Sequence, residues 1–287
     1  MILVIGASGY IGSHIYSAFK AESLPVIGTY NRHPENGLIP FDMEKQIFPI
    51  LSFEPEKISH MIIAASSTVR IDQVGQEWNK SHTIDVVNAK AMLTLCKKYE
   101  ITPVYLSSDF VFDGEKGNYS ETDPTNPING YGKIKDRIES YIREEFESHM
   151  IIRMGKVFGI QLNDHTLITS IINDLKKGLT LYCSSDQVFT PVMIFDLVNF
   201  LVNSIKNKTT GTFHIASIGP ITRYEMALRT KQFFNLPSEN IISCYINSLG
   251  LTEVRPLKID LNISKYNDLT GKKVDSLESY LEMIKDE

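Results

Sequence analysis

Tyr131 and Lys135 stand four residues apart in Tyr131-Gly132-Lys133-Ile134-Lys135, downstream of Ser107-Ser108-Asp109. On a helix that spacing puts a phenol and an ammonium on one face, one turn from each other. An ammonium beside a phenol favours the phenolate and lowers a pKa that starts near ~10. A phenol tuned in this way passes a proton to or from a substrate oxygen near neutral pH. The spacing alone does not single out a site, because Tyr16 and Lys20 repeat it. That pair falls in the first helix, where packing and a solvated charge explain it. The elements around each pair have to separate them.

Those elements begin at the N-terminus. Ile2-Leu3-Val4-Ile5 is an unbroken apolar run, the pattern of a strand buried on both faces of a parallel sheet. It runs into Gly6-Ala7-Ser8-Gly9-Tyr10-Ile11-Gly12, after which Ile11, Ile15, Ala18 and Phe19 recur at helical spacing. A strand, a glycine turn and a helix N-terminus together offer backbone N–H groups and a positive dipole end to a phosphate. The glycines read G-x-x-G-x-x-G rather than G-x-G-x-x-G. Further strands are predicted at 24–29, 60–65, 102–107 and from Met150. The intervening helices fall at 79–100, with Ile84, Val87, Ala91 and Leu95 on one face, and at 130–147. This alternation predicts an α/β fold, a Rossmann-like doubly wound parallel sheet with helices on both sides. Past Gly155 the pattern loosens into helices near 165–177, 194–206, 222–235 and 276–285, with short strand-like runs between them. The expected division is a nucleotide-binding domain over 1–155, with part of 188–215 returning to it. A smaller α/β substrate-binding lobe would occupy most of 156–287.

The glycine loop, Ser107-Ser108, Tyr131 and Lys135 together resemble the extended short-chain dehydrogenase/reductases. Within them the chain is most similar to the dTDP-4-dehydrorhamnose reductase, or sugar-nucleotide-binding, family. The likeness is carried by SSDFVFDG (107–114), NGYGKIK (129–135), IIRMGKVFG (151–159), DQVFTP (186–191), GTFHIAS (211–217) and Arg255-Pro256. It implies NADPH-dependent reduction of the 4-keto group of a nucleotide-linked 6-deoxyhexulose. Tyr131 would donate the proton, Lys135 would tune it and hold the nicotinamide ribose, and Ser108 would hold the carbonyl oxygen; Ser107 is the competing serine. Gly6, Ser8, Gly9, Tyr10, Ile11 and Gly12 would bind the pyrophosphate, Asp42 and Met43 the adenine end, and Ala64, Ala65 and Ser66 the path beneath the cofactor. Asp109, Phe110, Lys156, Gln187 and Arg255 fall where relatives contact the nucleotide sugar. Lys156 departs from the family pattern, which has Trp there, so the particular hexulose stays open. Phe110 stands where the 4,6-dehydratases of the superfamily carry Glu, leaving their acid/base pair incomplete. Two other readings share the fold: a 4-epimerase, and a cofactor-binding regulatory subunit like the beta subunit of methionine adenosyltransferase.

The second strand bears on cofactor choice. NAD-binding folds of this kind place a carboxylate at its end for the ribose hydroxyls. Here the run is Gly28-Thr29-Tyr30-Asn31-Arg32-His33. The Arg32 guanidinium suits a 2′-phosphate, which a carboxylate would repel.

Composition narrows the setting. The chain has 287 residues, 43% hydrophobic and 22% charged, with a net charge of −5, enough for one large or two small domains. A mildly acidic balance without a basic cluster argues against nucleic acid or an anionic membrane as partner. The three cysteines, Cys96, Cys183 and Cys244, and the seven scattered histidines lack metal-site spacing, so no metal is expected. With no leader-like N-terminus and no spanning apolar run, the expected setting is cytoplasmic and reducing. A homodimer is compatible with this reading.

Overall fold

The computed structural model describes residues 1–45, 54–67, 69–236 and 240–285. They group into two compact units. Unit 1 gathers 1–108, 130–153 and 198–213; unit 2 gathers 109–129, 154–197 and 214–287. Residues 109–129, which the sequence reading placed with the nucleotide-binding half, therefore belong with unit 2.

Unit 1 is built on a sheet of aliphatic strands. They are β1 (Ile2–Ile5), β2 (Val26–Tyr30), β3 (Leu38–Pro40), β4 (His60–Ile63), β5 (Thr102–Leu106) and β6 (Met150–Met154). With Gly211–Ile215 at one edge they form seven strands in the order 211–215, β6, β5, β4, β1, β2, β3. The five pairings from β6 across to β3 are parallel. The chain therefore changes direction between β1 and β4, and that reversal opens a crevice at the carboxyl ends of the strands. Every residue of β1 is buried. One face carries Leu3, Ile5, Met61, Ile63, Tyr105 and Ile151, packed with helical Met92, Leu93, Ile134, Ile138 and Ile142. Each such fully buried aliphatic side chain contributes about 1.5–3 kcal/mol of transfer free energy.

The helices of unit 1 are α1 (Tyr10–Ala21), α2 (Trp78–His82), α3 (Ala89–Lys98) and α4 (Gly130–Glu145). The stretch read as one helix over 79–100 is interrupted by a π-helical segment, Thr83–Asn88, between α2 and α3. The wider turn shifts the buried line by about a residue. Ile84 stays inside, but Val87 is exposed, and the buried series becomes Ile84, Val86, Ala89, Met92, Leu93 and Cys96. Trp78, the first residue of α2, packs against this core and lies beneath the Arg137 guanidinium, 5.2 Å from its ring centroid.

Unit 2 is assembled from short pairings. Val157–Phe158 runs parallel to Val192–Met193, Ile221–Thr222 pairs antiparallel with Val188–Phe189, and Leu181–Ser184 runs parallel to Ile241–Cys244. Around them lie α5 (Leu167–Lys176), α7 (Arg223–Phe234), α8 (Ser264–Thr270) and α9 (Leu277–Lys285). The intervening α6 (Ile194–Lys206) leads the chain back into unit 1. Among the described residues no helix is long and apolar enough to cross a membrane.

Candidate active site and cofactor cleft

The loop after β1 is compressed as a phosphate turn has to be. Gly6 adopts φ +85°, and a Cβ there would stand 2.8 Å from the Ala65 Cβ. A Cβ on Gly12 would meet the Gly6 carbonyl oxygen at 2.1 Å, so only glycine lets α1 start this close to the strand. Gly9 is the N-cap of α1, no side chain closes the helix end, and the first turn has no acidic residue. Thr29 Oγ1 accepts the Gly6 N–H at 3.0 Å and locks the turn onto β2.

This turn borders a cleft of about 340 Å³, within the size range of small-molecule sites. Of the residues read from sequence, Gly6, Ser8, Gly9, Arg32, Met43, Ala64, Ala65 and Ser66 line it together. Among the described residues Ile5, Thr29, Tyr30, Asn31, His33, Phe41, Glu44, Ser67 and Ile84 complete its wall without being sequence-predicted site residues. Their positions beside Arg32, Met43 and Ser66 were the available signal. Tyr10, Ile11, Gly12 and Asp42 are outside the lining. Asp42 instead accepts the Glu44 N–H at 2.9 Å and pairs with Lys45 at 3.1 Å. Burial raises its pKa, but these contacts and the Arg32 charge outweigh burial and leave it below the ordinary value.

Lys135 and Tyr131 lie on α4, also in unit 1. The Lys135 ammonium donates to the Leu106 carbonyl at the end of β5, 2.9 Å away. It lies 4.9 Å from the Tyr105 ring centroid and 5.6 Å from that of Tyr131. Burial pulls the Lys135 pKa down, with Asp85 and Glu139 opposing it. In the other pair the Lys20 nitrogen lies 5.3 Å from the Tyr16 centroid, nearly the same separation. There Lys20 is exposed and the Tyr16 hydroxyl reaches Gly37 O at 3.4 Å. What separates the pairs is the surroundings of the lysine.

The two serines also differ. Ser107 donates its hydroxyl to Glu139, a fully buried carboxylate that additionally accepts from Arg153 at 2.7–3.1 Å and Arg143 at 2.7 Å. Burial alone would raise the Glu139 pKa; the Arg153 charge and these hydrogen bonds reverse that and lower it. Ser107 is thus a member of a structural ion network. Asp85, Tyr105, Glu139 and Arg153 are not legible as site neighbours, since they come from the π segment, β5, α4 and β6 and only packing brings those elements together.

Unit 2 gathers a second cluster. Arg223 opens α7, whose start is fixed by a capping box between Thr222 and Glu225. A cation at the positive end of a helix is electrostatically unfavourable, and Glu225 in the first turn offsets part of that. Burial lowers the Lys156 pKa, and the charges of Arg223 and Arg255 lower it further, while Asp109 opposes them. Three cations and one carboxylate thus share this region. Arg255 lies over Phe110, with 5.4 Å from its guanidinium carbon to the ring centroid. Its loop is pinned on both sides, by Asn129 Nδ2 to Val254 O at 3.1 Å and Gln187 Nε2 to Pro256 O at 2.8 Å. Gln187, expected at the substrate, therefore holds the strand of chain that carries Arg255. Arg223 was missed because a lone arginine after a threonine carries no signal until the helix start is known.

Comparison with known proteins follows this layout. The sequence profile of the family described as RmlD substrate binding domain matches residues 1–287. The methionine adenosyltransferase 2 subunit beta of Danio rerio is 28% identical over 289 residues, covering 96% of this chain and 86% of that protein. The crystal structure of a hypothetical dTDP-4-dehydrorhamnose reductase from Sulfolobus tokodaii superposes with a TM-score of 0.84 at 28% identity, covering 97% of this chain and 98% of that one. A dTDP-4-dehydrorhamnose reductase from Bacillus anthracis, in complex with NADP, shares the fold at a TM-score of 0.84, 20% identity and coverage of 99% and 98%. With a full-length profile match, a reversing parallel sheet and a glycine turn at its crevice, the chain belongs to the RmlD substrate binding domain family, on an extended short-chain dehydrogenase/reductase fold.

Proposed function

We propose that this chain is an NADPH-dependent reductase of the 4-keto group of a nucleotide-linked 6-deoxyhexulose. The observation that carries the reading is the placement of Lys135, held by Leu106 O within reach of the Tyr105 and Tyr131 rings, in the same unit as the glycine-walled cleft. The cleft fits the cofactor: its turn tolerates no Cβ at Gly6 or Gly12, and Arg32 is part of its wall. Gly6, Ser8, Gly9, Arg32, Met43, Ala64, Ala65 and Ser66 would hold it. When bound, NADPH supplies the hydride to the carbonyl carbon. The chain's own groups handle the oxygen. Ser108 donates a hydrogen bond to it as negative charge grows, and Tyr131 delivers the proton that completes the alcohol. Lys135 stabilises the phenolate left behind, which solvent reprotonates. Within unit 2, the cluster of Arg223, Arg255 and Lys156, with Asp109 offsetting part of its charge, suits an anionic group such as a diphosphate. The carrier adds binding energy remote from the reacting carbon, which helps to position it.

The relative from Danio rerio supports a second reading, a cofactor-binding regulatory subunit. Regulation requires the fold and the cleft but not a proton donor, its lysine and a hydroxyl together, and this chain has all three. The deciding assay follows NADPH oxidation with dTDP-4-dehydrorhamnose and related 4-keto sugar nucleotides. We expect turnover with one of the nucleotide-linked sugars and far slower reaction of the free 4-keto sugar. No oxidation across the panel, together with stable capture of a methionine adenosyltransferase catalytic subunit, would favour regulation.

Cofactor preference tests Arg32 separately. One bidentate charge-assisted contact to the 2′-phosphate is worth about 1.5–3 kcal/mol, or roughly ten- to a hundredfold in affinity. NADPH should bind tighter than NADH by that factor, and Arg32→Ala should erase the difference. Equal affinities in the wild type would remove Arg32 from the site.

A further inference from the structure

An asparagine followed by glycine is chemically fragile, because no side chain shields the next backbone nitrogen from the asparagine carbonyl carbon. The chain has two such pairs, Asn36-Gly37 and Asn129-Gly130. The fold treats them oppositely. Asn129 is 4% exposed, and its Nδ2 donates to Val254 O at 3.1 Å. Gly130 is the first residue of α4, so the backbone that would have to turn is held in a helix. Asn36 and Gly37 are both exposed, in the connection 31–37 between β2 and β3. Leu38 N donates to Glu35 O at 3.1 Å, closing a turn with Asn36 and Gly37 at its centre. Gly37 adopts φ +86°, and the nearest non-neighbouring atom to a Cβ built there is the Tyr16 hydroxyl, at 3.6 Å. Among the described residues, neither the Asn36 side chain nor the Gly37 N–H has a hydrogen-bond partner.

We propose that Asn36 is an intrinsic modification site, converted by water to aspartate and isoaspartate in the folded protein. The Gly37 amide nitrogen gives its proton to solvent base and attacks the Asn36 side-chain carbonyl carbon. That C–N bond closes a cyclic succinimide, and the C–N bond to the side-chain amide breaks, releasing ammonia. Water then opens the ring at either carbonyl, leaving aspartate or, where the chain now runs through the side-chain carbonyl, isoaspartate. Nothing is oxidised or reduced, and water is the only co-reactant. The product matters because of what shares the connection. Arg32 and His33 line the cofactor cleft, and Arg32 and Glu35 are the charged side chains of 31–37. A carboxylate at position 36 tips this balanced segment to negative. The consequence for the cofactor rests on the reductase reading, in which Arg32 takes the 2′-phosphate of NADPH. The new charge competes for Arg32 and repels that phosphate. NADH, which lacks the phosphate, is less affected.

The test incubates full-length wild type at mildly alkaline pH, which speeds loss of the Gly37 amide proton, and follows it by peptide mass spectrometry with an isoaspartate assay. Conversion should accumulate at Asn36 while Asn129 stays intact. An unmodified Asn36, or equal conversion at both asparagines, would overturn the site. Asn36→Gln, whose longer side chain closes the ring poorly, should resist conversion. Dissociation constants for NADPH and NADH are measured in parallel by fluorescence. In converted wild type and in fresh Asn36→Asp, affinity for NADPH relative to NADH should fall by about two- to fivefold, the scale of an exposed charge pair. Asn36→Gln incubated for the same time should keep the ratio of fresh wild type. An unchanged ratio in Asn36→Asp would overturn the link to the cofactor. Failure of the reductase reading looks different: fresh wild type would oxidise no NADPH with any 4-keto sugar nucleotide, while conversion of Asn36 would still register by mass.

Discussion

Tyr131→Phe should leave NADPH binding near the wild-type level while turnover falls by roughly 10²–10⁴, the scale of a lost general acid. The substitution keeps the aromatic ring, which packs against the core of unit 1, and deletes only the oxygen and its proton. Loss confined to kcat, with the cofactor dissociation constant unchanged, is the signature of a group that acts in the transition state. Tyr16→Phe is the matched control. Tyr16 has its own lysine at nearly the same distance, so any effect of the tyrosine–lysine spacing as such would appear in both variants. Equal turnover in the two would remove Tyr131 from the chemistry.

Glu139→Ala should destabilise the fold by about 3–5 kcal/mol, the usual consequence of stranding a buried charge. Arg153 is 2% exposed and would lose its carboxylate partner in the interior of unit 1, and the Ser107 hydroxyl would lose its acceptor. Chemical denaturation of wild type and variant measures the difference, and a midpoint unchanged by the substitution would show that the network is not stabilising. The network also carries a pH signature. Glu139 has a folded pKa below the ordinary glutamate value of 4.5. Its contribution is therefore complete above that value and is lost as pH falls through the lower folded one. Wild type should lose stability in that acidic window, and Glu139→Gln, which no longer titrates there, should lose less.

The parallel sheet was legible because its strands are uninterrupted aliphatic runs, and β1 with its glycine turn left little room for another arrangement. α6 was read with the ends it has in the structure, 194–206, since apolar residues mark both its turns and its buried face. The π segment was not legible. Its residues, Thr83-Ile84-Asp85-Val86-Val87-Asn88, fit an ordinary helix locally, and only packing selects the wider turn. β3 was missed because three residues ending in proline carry almost no strand pattern. At the site, residue types and spacing drew attention to Tyr131 and Lys135, and the family resemblance added Ser108 with Ser107 as its competitor. Asp85 and Glu139 act on Lys135 across elements distant in sequence, and Arg223 joins Lys156 and Arg255 only once unit 2 has formed. Charges that matter through space leave no period in the sequence.

The order of synthesis gives the interleaving of the two units a further meaning. Unit 1 takes its last piece from residues 198–213, and the sheet edge beside β6 is supplied by Gly211–Ile215. Once the first 155 residues have emerged from the ribosome, every glycine of the phosphate turn and Tyr131 with Lys135 are out, yet β6 has only β5 beside it and its other edge is open. An uncovered strand edge invites pairing with other chains. The nascent protein must carry that edge until residues 211–215 have emerged, a window in which chaperone capture competes with aggregation. Cutting the gene at the apparent end of the nucleotide-binding half would make that window permanent.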